Sequence, residues 1–356
     1  MSDSVRGLNR REFLGAMAAA PIAIRAMESR NAAPRTFEIV TKIALDESHD
    51  AGKAWIPLAL ARTAPFQIDR GHTIGGNADT TRVEKLAGAD AMVLVAEWGH
   101  MMPPPEVSVT MKVETSDYRV SLTSPNGARR SADLANYLKP TKLIPIDGIV
   151  KQTSDAITKG KTSDLSKARA IYDWIVENTV RDPEVKGCGL GDIRGMLEMK
   201  NLSGKCADLN ALFVGLARAA GLPARDLYGL RVAPSAQFAS LGRAGGNVTT
   251  AQHCRAEVWA DTYGWIPVDP ADVRKLMLEE KKPSLGDGYV ARAREALFGS
   301  WEGNWIAFND AHDVTLPGSA GKPLPFLMYP QAEVGGERLD SLDPEHFKYT
   351  ITAREI

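Results

Sequence analysis

Cysteine is scarce in this chain, with 3 among 356 residues. So small and odd a number cannot build a disulfide framework, and it leaves at least one thiol free or paired between chains. A surplus of either charge is missing as well. Lys and Arg total 43 against 44 Asp and Glu, for a formal net charge of −1. A general nucleic-acid binder normally carries a basic surplus or stripe, so no nucleic-acid partner is expected. No uninterrupted apolar run reaches the ~18 residues of a membrane-spanning helix. Gly 31 and Pro 21 are too few and too unpatterned for a collagenous or disordered chain. What is present is 44% apolar residues, enough for one large domain or two to three small ones. The balance describes a soluble globular chain of enzyme size.

The N-terminus is set apart from the fold. Asn9-Arg10-Arg11-Glu12-Phe13-Leu14 resembles the bacterial twin-arginine export signal, a pair of arginines ahead of an apolar segment. That segment, from Gly15 to Ile24, is Ala-rich, mildly apolar and too short to span a bilayer. Residues 1–33 are therefore read as a signal segment, with cleavage expected between Ala26 and Ala33 although no clean A-x-A site marks it. The expected destination is periplasmic or secreted, and the export machinery is an expected partner.

Residues 34–140 carry strand patterns. Thr36 to Leu45 and Val107 to Val113 alternate apolar and polar positions, and Ala91 to Trp98 is mostly apolar. Trp55 to Leu58 and Pro65 to Gln67 add strand and turn material, and Ser124-Pro125-Asn126-Gly127 marks a turn. A β-sandwich or small barrel is expected there. From about residue 140 the period becomes helical. Between Asp164 and Glu177, positions 165, 168, 171, 172, 175 and 176 share an apolar face, with Ser163 or Asp164 as cap. Short strands return around Trp301, Trp305, Phe326 and Tyr349.

The chemistry gathers between residues 165 and 270. Gly204-Lys205-Cys206-Ala207-Asp208-Leu209-Asn210 leads into an apolar helix that stops at Gly221 and Pro223. Cys206 then falls at the first turn, where the helix dipole favours thiolate and unsatisfied N–H groups can face an oxyanion. Gln252 to Trp259 alternates as a strand, with His253, Arg255, Glu257 and Trp259 on one face. Asp261 to Gly264 reads as a hairpin turn into a second strand, Trp265 to Pro270. Pairing across that turn sets Trp265 opposite Trp259 or Ala260 and brings Asp269 near His253 or its neighbour. Nucleophile, base and orienter are then assembled.

These motifs, with Gly221-Leu222-Pro223-Ala224-Arg225 and Gly264-Trp265-Ile266-Pro267-Val268-Asp269-Pro270, resemble the transglutaminase-like superfamily. The likeness covers about residues 165–272. It implies an α+β fold with a papain-like catalytic core over 141–297, a β-rich N-terminal domain over 34–140, and a β-rich C-terminal extension over 298–356 packed on the core. It also implies Cys206 as nucleophile, His253 as general base and acid, and Asp269 as orienter, with helix Asp164–Asn178 packed ahead of the nucleophile. The implied activity is a thiol-dependent amide hydrolase (peptidase or amidase) working through a thioester on a peptide or protein, cell-wall peptides among the candidates. The alternatives are a transglutaminase using the same triad and a catalytically silent binding module. No cofactor or metal is implied, and no acidic loop suggests calcium control. Transglutaminases proper place an indole upstream of the Cys, and papain-like enzymes a Gln, as oxyanion donor. Lys186 to Gly191 offers neither.

Rival uses of the same residues are weaker. Cys254 faces away from His253 and reads as core, Cys188 as a packing residue in a Gly-rich loop. An oxidising compartment would allow a 188–254 disulfide. A zinc site from Cys188, Cys206, His253 and Cys254 lacks a C-x-x-C pair. Asn309 to Asp313 reads as a polar turn, and Gly242 to Asn247 as a mobile loop gating the cleft. Trp259, Trp265, Trp301 and Trp305 read as core anchors.

Overall fold

The computed structural model describes residues 33–282 and 284–356, so the export signal read in residues 1–33 lies, but for its last residue, outside the described residues. Six α-helices occur among them: α1 Gly148–Thr158, α2 Asp164–Asn178, α3 Ile193–Glu198, α4 Cys206–Ala219, α5 Pro270–Glu279 and α6 Gly288–Ala296, with 3-10 turns at Ala132–Leu138 and Ala239–Leu241. Together with the sheets they make a mixed α+β fold, as the resemblance implies.

Helix α2 has the bounds its apolar period predicts. Ser163 caps it, accepting from the Ser166 N–H, while the Ser166 side chain reciprocates. Its face of Ala168, Ile171, Tyr172, Ile175 and Val176 is buried, each of the larger side chains contributing ~1.5–3 kcal/mol. The helix packs against α4, whose every residue is buried. Gly221, at φ +83°, ends α4 in the left-handed conformation that glycine adopts at least cost.

Helix α4 lies on a four-stranded antiparallel sheet ordered Gly264–Val268, Gln252–Ala260, Ala224–Arg231, Trp305–Asn309. The hairpin register sets Trp259 opposite Trp265. The second strand stops earlier than its apolar pattern suggests. Pro270 occupies the first turn of α5 and Asp269 caps it, accepting from the Asp272 N–H.

Two five-stranded sheets share a second apolar layer, built from residues such as Ile39 and Val109 of one and Ala54 and Leu94 of the other. This is a sandwich. The residues after 298 are divided between these layers and do not form a separate one. Trp305–Asn309 closes an edge of the core sheet, and Gln331–Val334 pairs with Gly52–Pro57. Lys348–Glu355 pairs with Arg35–Ala44 from Phe37–Glu355 to Ala44–Lys348. Each such pairing satisfies a sheet edge that would otherwise stay open. No helix among the described residues is long and apolar enough to cross a membrane.

Candidate active site

Cys206 opens α4 and is 2% exposed. Its N–H is one of the first-turn donors that an α-helix leaves without an internal acceptor. The segment ahead of it is folded over this end. Asp208 Oδ1 accepts from the N–H groups of Leu190 and Gly191, each at 2.9 Å. Its Oδ2 accepts from the Lys205 N–H at 2.9 Å. A Cβ on Gly204 would stand 2.6 Å from the Cβ of Asp208, and one on Gly189 would collide with its carboxylate. Both positions therefore need glycine. The Ala207 N–H donates to the Cys188 carbonyl at 2.9 Å, which sets Cys188 beside the helix start.

His253 comes from the strand behind. Its Nε2 lies 2.7 Å from Asp269 Oδ2, leaving Nδ1 for the Cys206 side. Asp269 is fully buried and is itself held. Its Oδ1 accepts from the Asp272 N–H at 3.1 Å and from Asn210 Nδ2 at 3.3 Å. Because Asp269 has left the strand to cap α5, it reaches back to His253 from the helix start. The structure thus brings together Cys206, His253 and Asp269, the three residues read from sequence. Asp272 stands behind them, 3.5 Å from His253 Nε2 and bonded to Arg231 Nη2 at 2.6 and 2.8 Å.

The charges favour an ion pair at the front of this row. The thiols of Cys188 and Cys254 lie close enough to Cys206 to influence its charge. Together with His253 they hold the Cys206 thiol well below its ordinary range, against the opposing effect of burial. Contact with Cys206 and burial push the Cys188 thiol up, and burial pushes Cys254 up. Burial and Arg231 depress the His253 imidazole, but Asp272 and Asp269 outweigh them and hold it above its usual value. Burial and Asp272 raise Asp269, while Arg231 and His253 overcome burial to keep Asp272 low. Both shifts act in favour of a thiolate beside an imidazolium.

His253, Asp269 and Asp272 stand close enough to share a cation. They do not suit one, because Asp269 is spent on His253 and backbone, and the Arg231 guanidinium already occupies Asp272. The zinc set of Cys188, Cys206, His253 and Cys254 does not form a ligand group among the described residues. All three cysteines are free thiols, so the 188–254 disulfide is not present.

Cys206 and His253 line a cavity of about 940 Å³, together with Cys188, Gln252 and Tyr329. Cys188 is therefore more than packing, and its single S–H donates to the Gln252 carbonyl at 3.4 Å. Cys254 faces α4, where Asn210 Nδ2 donates to its carbonyl at 2.9 Å. The loop read as mobile is tied down at Gly246–Asn247, which pairs with the last strand, and Gly242 and Arg243 line the cavity. The turn after Asn309 serves packing. His312 stacks edge-on to Tyr228, and Asp310 accepts from the Tyr137 hydroxyl at 3.1 Å. Trp301 and Trp305 are buried in a cluster with Phe66, consistent with anchors. Arg231 and Asn210 are not singled out by the sequence, which offers Asp272 and Glu257 only as alternatives to Asp269. The signal for Asp272 is Asp-Pro-Ala-Asp at 269–272, a helix start that places two carboxylates on one turn.

A buried thiol at a helix start, a histidine and a buried carboxylate in hydrogen-bonded order define a cysteine-type catalytic fold. Residues 151–270 match the model of the transglutaminase-like superfamily, and this part of the chain is a transglutaminase-like core domain. The chain is 38% identical over 319 residues to an uncharacterized protein of Haemophilus influenzae, covering 85% of this chain and 86% of the other. Its fold is also that of a candidate cysteine protease from Cytophaga hutchinsonii. That likeness has TM-score 0.51 and 14% identity, covering 90% of this chain and 98% of the other.

Proposed function

We propose that the protein is a thiol-dependent amide hydrolase acting on a peptide or isopeptide after twin-arginine export. The observation that carries this reading is the row Cys206–His253–Asp269 opening on a large cavity from a helix N-terminus. In the first step the Cys206 thiolate attacks the amide carbonyl carbon, and the carbonyl electron pair moves onto oxygen. The Cys206 N–H stabilises that oxyanion. The amide of Gln252, which lines the same cavity and whose Nε2 is buried without a partner, is our candidate for a side-chain donor to it. The carbon–nitrogen bond then breaks as His253 Nδ1 gives its proton to the leaving nitrogen, and a thioester remains. Water, deprotonated by the now neutral His253, attacks the thioester and releases the acid and the thiolate. Asp269 keeps the imidazole oriented throughout and makes no bond to substrate.

Acyl-enzyme capture tests the reading. Purified protein is mixed with a pool of bacterial envelope peptides, quenched in acid and analysed by mass spectrometry. A mass increment on the peptide containing Cys206, absent in Cys206→Ala, is expected. Peptide cleavage by the Cys206→Ala protein would overturn it. Export is tested separately by Arg10→Lys with Arg11→Lys, which should leave folded protein in the cytoplasm.

A further inference from the structure

The cavity before Cys206 is far more cationic than the chain that builds it. The whole sequence has a net charge of −1, yet seven Lys or Arg side chains and a single carboxylate, Glu279, line the cavity. Several of those cations are committed. Arg231 is locked to Asp272, Lys275 lies 3.0 Å from Glu279, and Lys186 lies 2.6 Å from Asp340. Lys348 has only Asp46, at 3.9 Å. Arg181, Lys205 and Arg243 form no ion pair among the described residues.

The placement of these three is informative. Arg181 pairs with Gly204 in a short parallel ladder, so it sits beside the backbone leading into Cys206. Its Nη1 is buried with no hydrogen-bond partner. A buried guanidinium donor without an acceptor is costly, and a carboxylate is the ligand that satisfies it best. Lys205 immediately precedes Cys206. Arg243 reaches the cavity from the loop ahead of His253, its Nη2 3.5 Å from Thr250 Oγ1. Unpaired cations thus stand on the nucleophile side and on the base side. A cleft with one sign of charge concentrates ligands of the other sign.

We propose that the cavity selects an acidic peptide, with carboxylates near the scissile amide held by Arg181 and Lys205 on one side and Arg243 on the other. This rests on the hydrolase reading, whose substrate class it names. The three cations act on binding. Cys206 and His253 act on the bond.

The test uses the full chain carrying Cys206→Ala, so that binding is measured without turnover. The probes are dye-labelled octapeptides of alternating glycine with glutamate, with glutamine or with lysine, followed by fluorescence anisotropy. The glutamate peptide should bind at least ~10-fold tighter than the glutamine peptide at low salt. The preference should shrink as salt rises. Arg243→Gln, an exposed change that leaves packing alone, should lower the preference several-fold, and Arg181→Gln should lower it further. Equal binding of the glutamate and glutamine peptides, tighter binding of the lysine peptide, or a preference untouched by both substitutions would each overturn the proposal. An oligonucleotide of matched charge that displaces the acidic peptide equally well would also overturn it. Failure of the hydrolase reading shows elsewhere, in a Cys206 of the wild-type protein that never forms an acyl adduct.

Discussion

One strand, Gln252–Ala260, carries two buried charged clusters on the same face, and they do different work. Near its start, His253 meets Asp269 and Asp272, with Arg231 behind. Towards its end, Glu257 meets Arg225 at 2.7 Å, and the guanidinium lies 4.1 Å over Trp265 and 5.0 Å over Tyr137. Both clusters are almost wholly dry. The second opens on a cavity of about 520 Å³ whose described lining includes no cysteine and no histidine. The first ends in a thiol at a helix start. Buried charge alone therefore does not mark an active site on this strand. A nucleophile facing free space, with a titratable partner in contact, does.

Removing the thiol should separate the clusters most sharply. Cys206→Ala is expected to abolish turnover with the melting temperature little changed, measured by product release and thermal unfolding. His253→Ala should cost nearly as much, because attack loses its base and the leaving amine its acid. Asp269→Ala should lower kcat/KM by ~10²–10⁴-fold, since an orienter makes no bond to substrate. Full activity in that variant would remove the triad as drawn.

At the other end of the strand the effect should move from rate to stability. Glu257→Ala strands the buried Arg225 and should cost about 3–5 kcal/mol in denaturant unfolding. Alkylation of Cys206 in the folded protein should stay at its wild-type rate. A smaller change is expected from Asp272→Asn. Its carboxylate helps to hold His253 high, so the folded imidazole should titrate lower and the alkaline limb of activity should move to lower pH. A limb that stays in place would show that Asp269 alone sets His253. Cys254→Ala should be milder for catalysis than the changes at Cys206, His253 or Asp269, moving the alkylation profile of Cys206 to higher pH as a neighbouring thiol is lost, with a modest loss of stability from the space left against α4.

The same contrast explains what could be read without coordinates. The proposed triad was legible because each member sits where chain chemistry is local. Gly204 and the helix after it fix Cys206, and a period-two strand fixes the face of His253. The hairpin turn before Trp265 limits where Asp269 can fall. The apolar stripe of α2 was legible for the same reason, down to its Ser163 cap. Arg231 and Asp272 were not legible as a pair, because a strand and a helix some forty residues apart meet only after the sheet and α5 are packed. Cys188 was read as filler because nothing near it in sequence reveals that its loop crosses the start of α4. The pairing of residues 348–355 with 35–44 is hidden too, since the partners lie at opposite ends of the described chain.

In the proposed site Cys206 and His253 share a proton as thiolate and imidazolium. Ordinary values near ~8.5 for a thiol and ~6.5 for imidazole would leave that pair almost no window. Here the depressed thiol keeps its charge until pH falls through its lowered pKa, and the raised imidazole keeps its proton until pH rises through its own. Both shifts widen the range in which thiolate and imidazolium coexist. The direct measurement is the rate of iodoacetamide alkylation at Cys206 from pH 4 to 10, read by mass spectrometry in wild type and in His253→Ala. The wild-type protein should already react rapidly at pH 6, and His253→Ala should lose most of that rate while still reacting at high pH. A wild-type curve that rises only near pH 8.5, unchanged by His253→Ala, would contradict the ion pair and with it the catalytic reading.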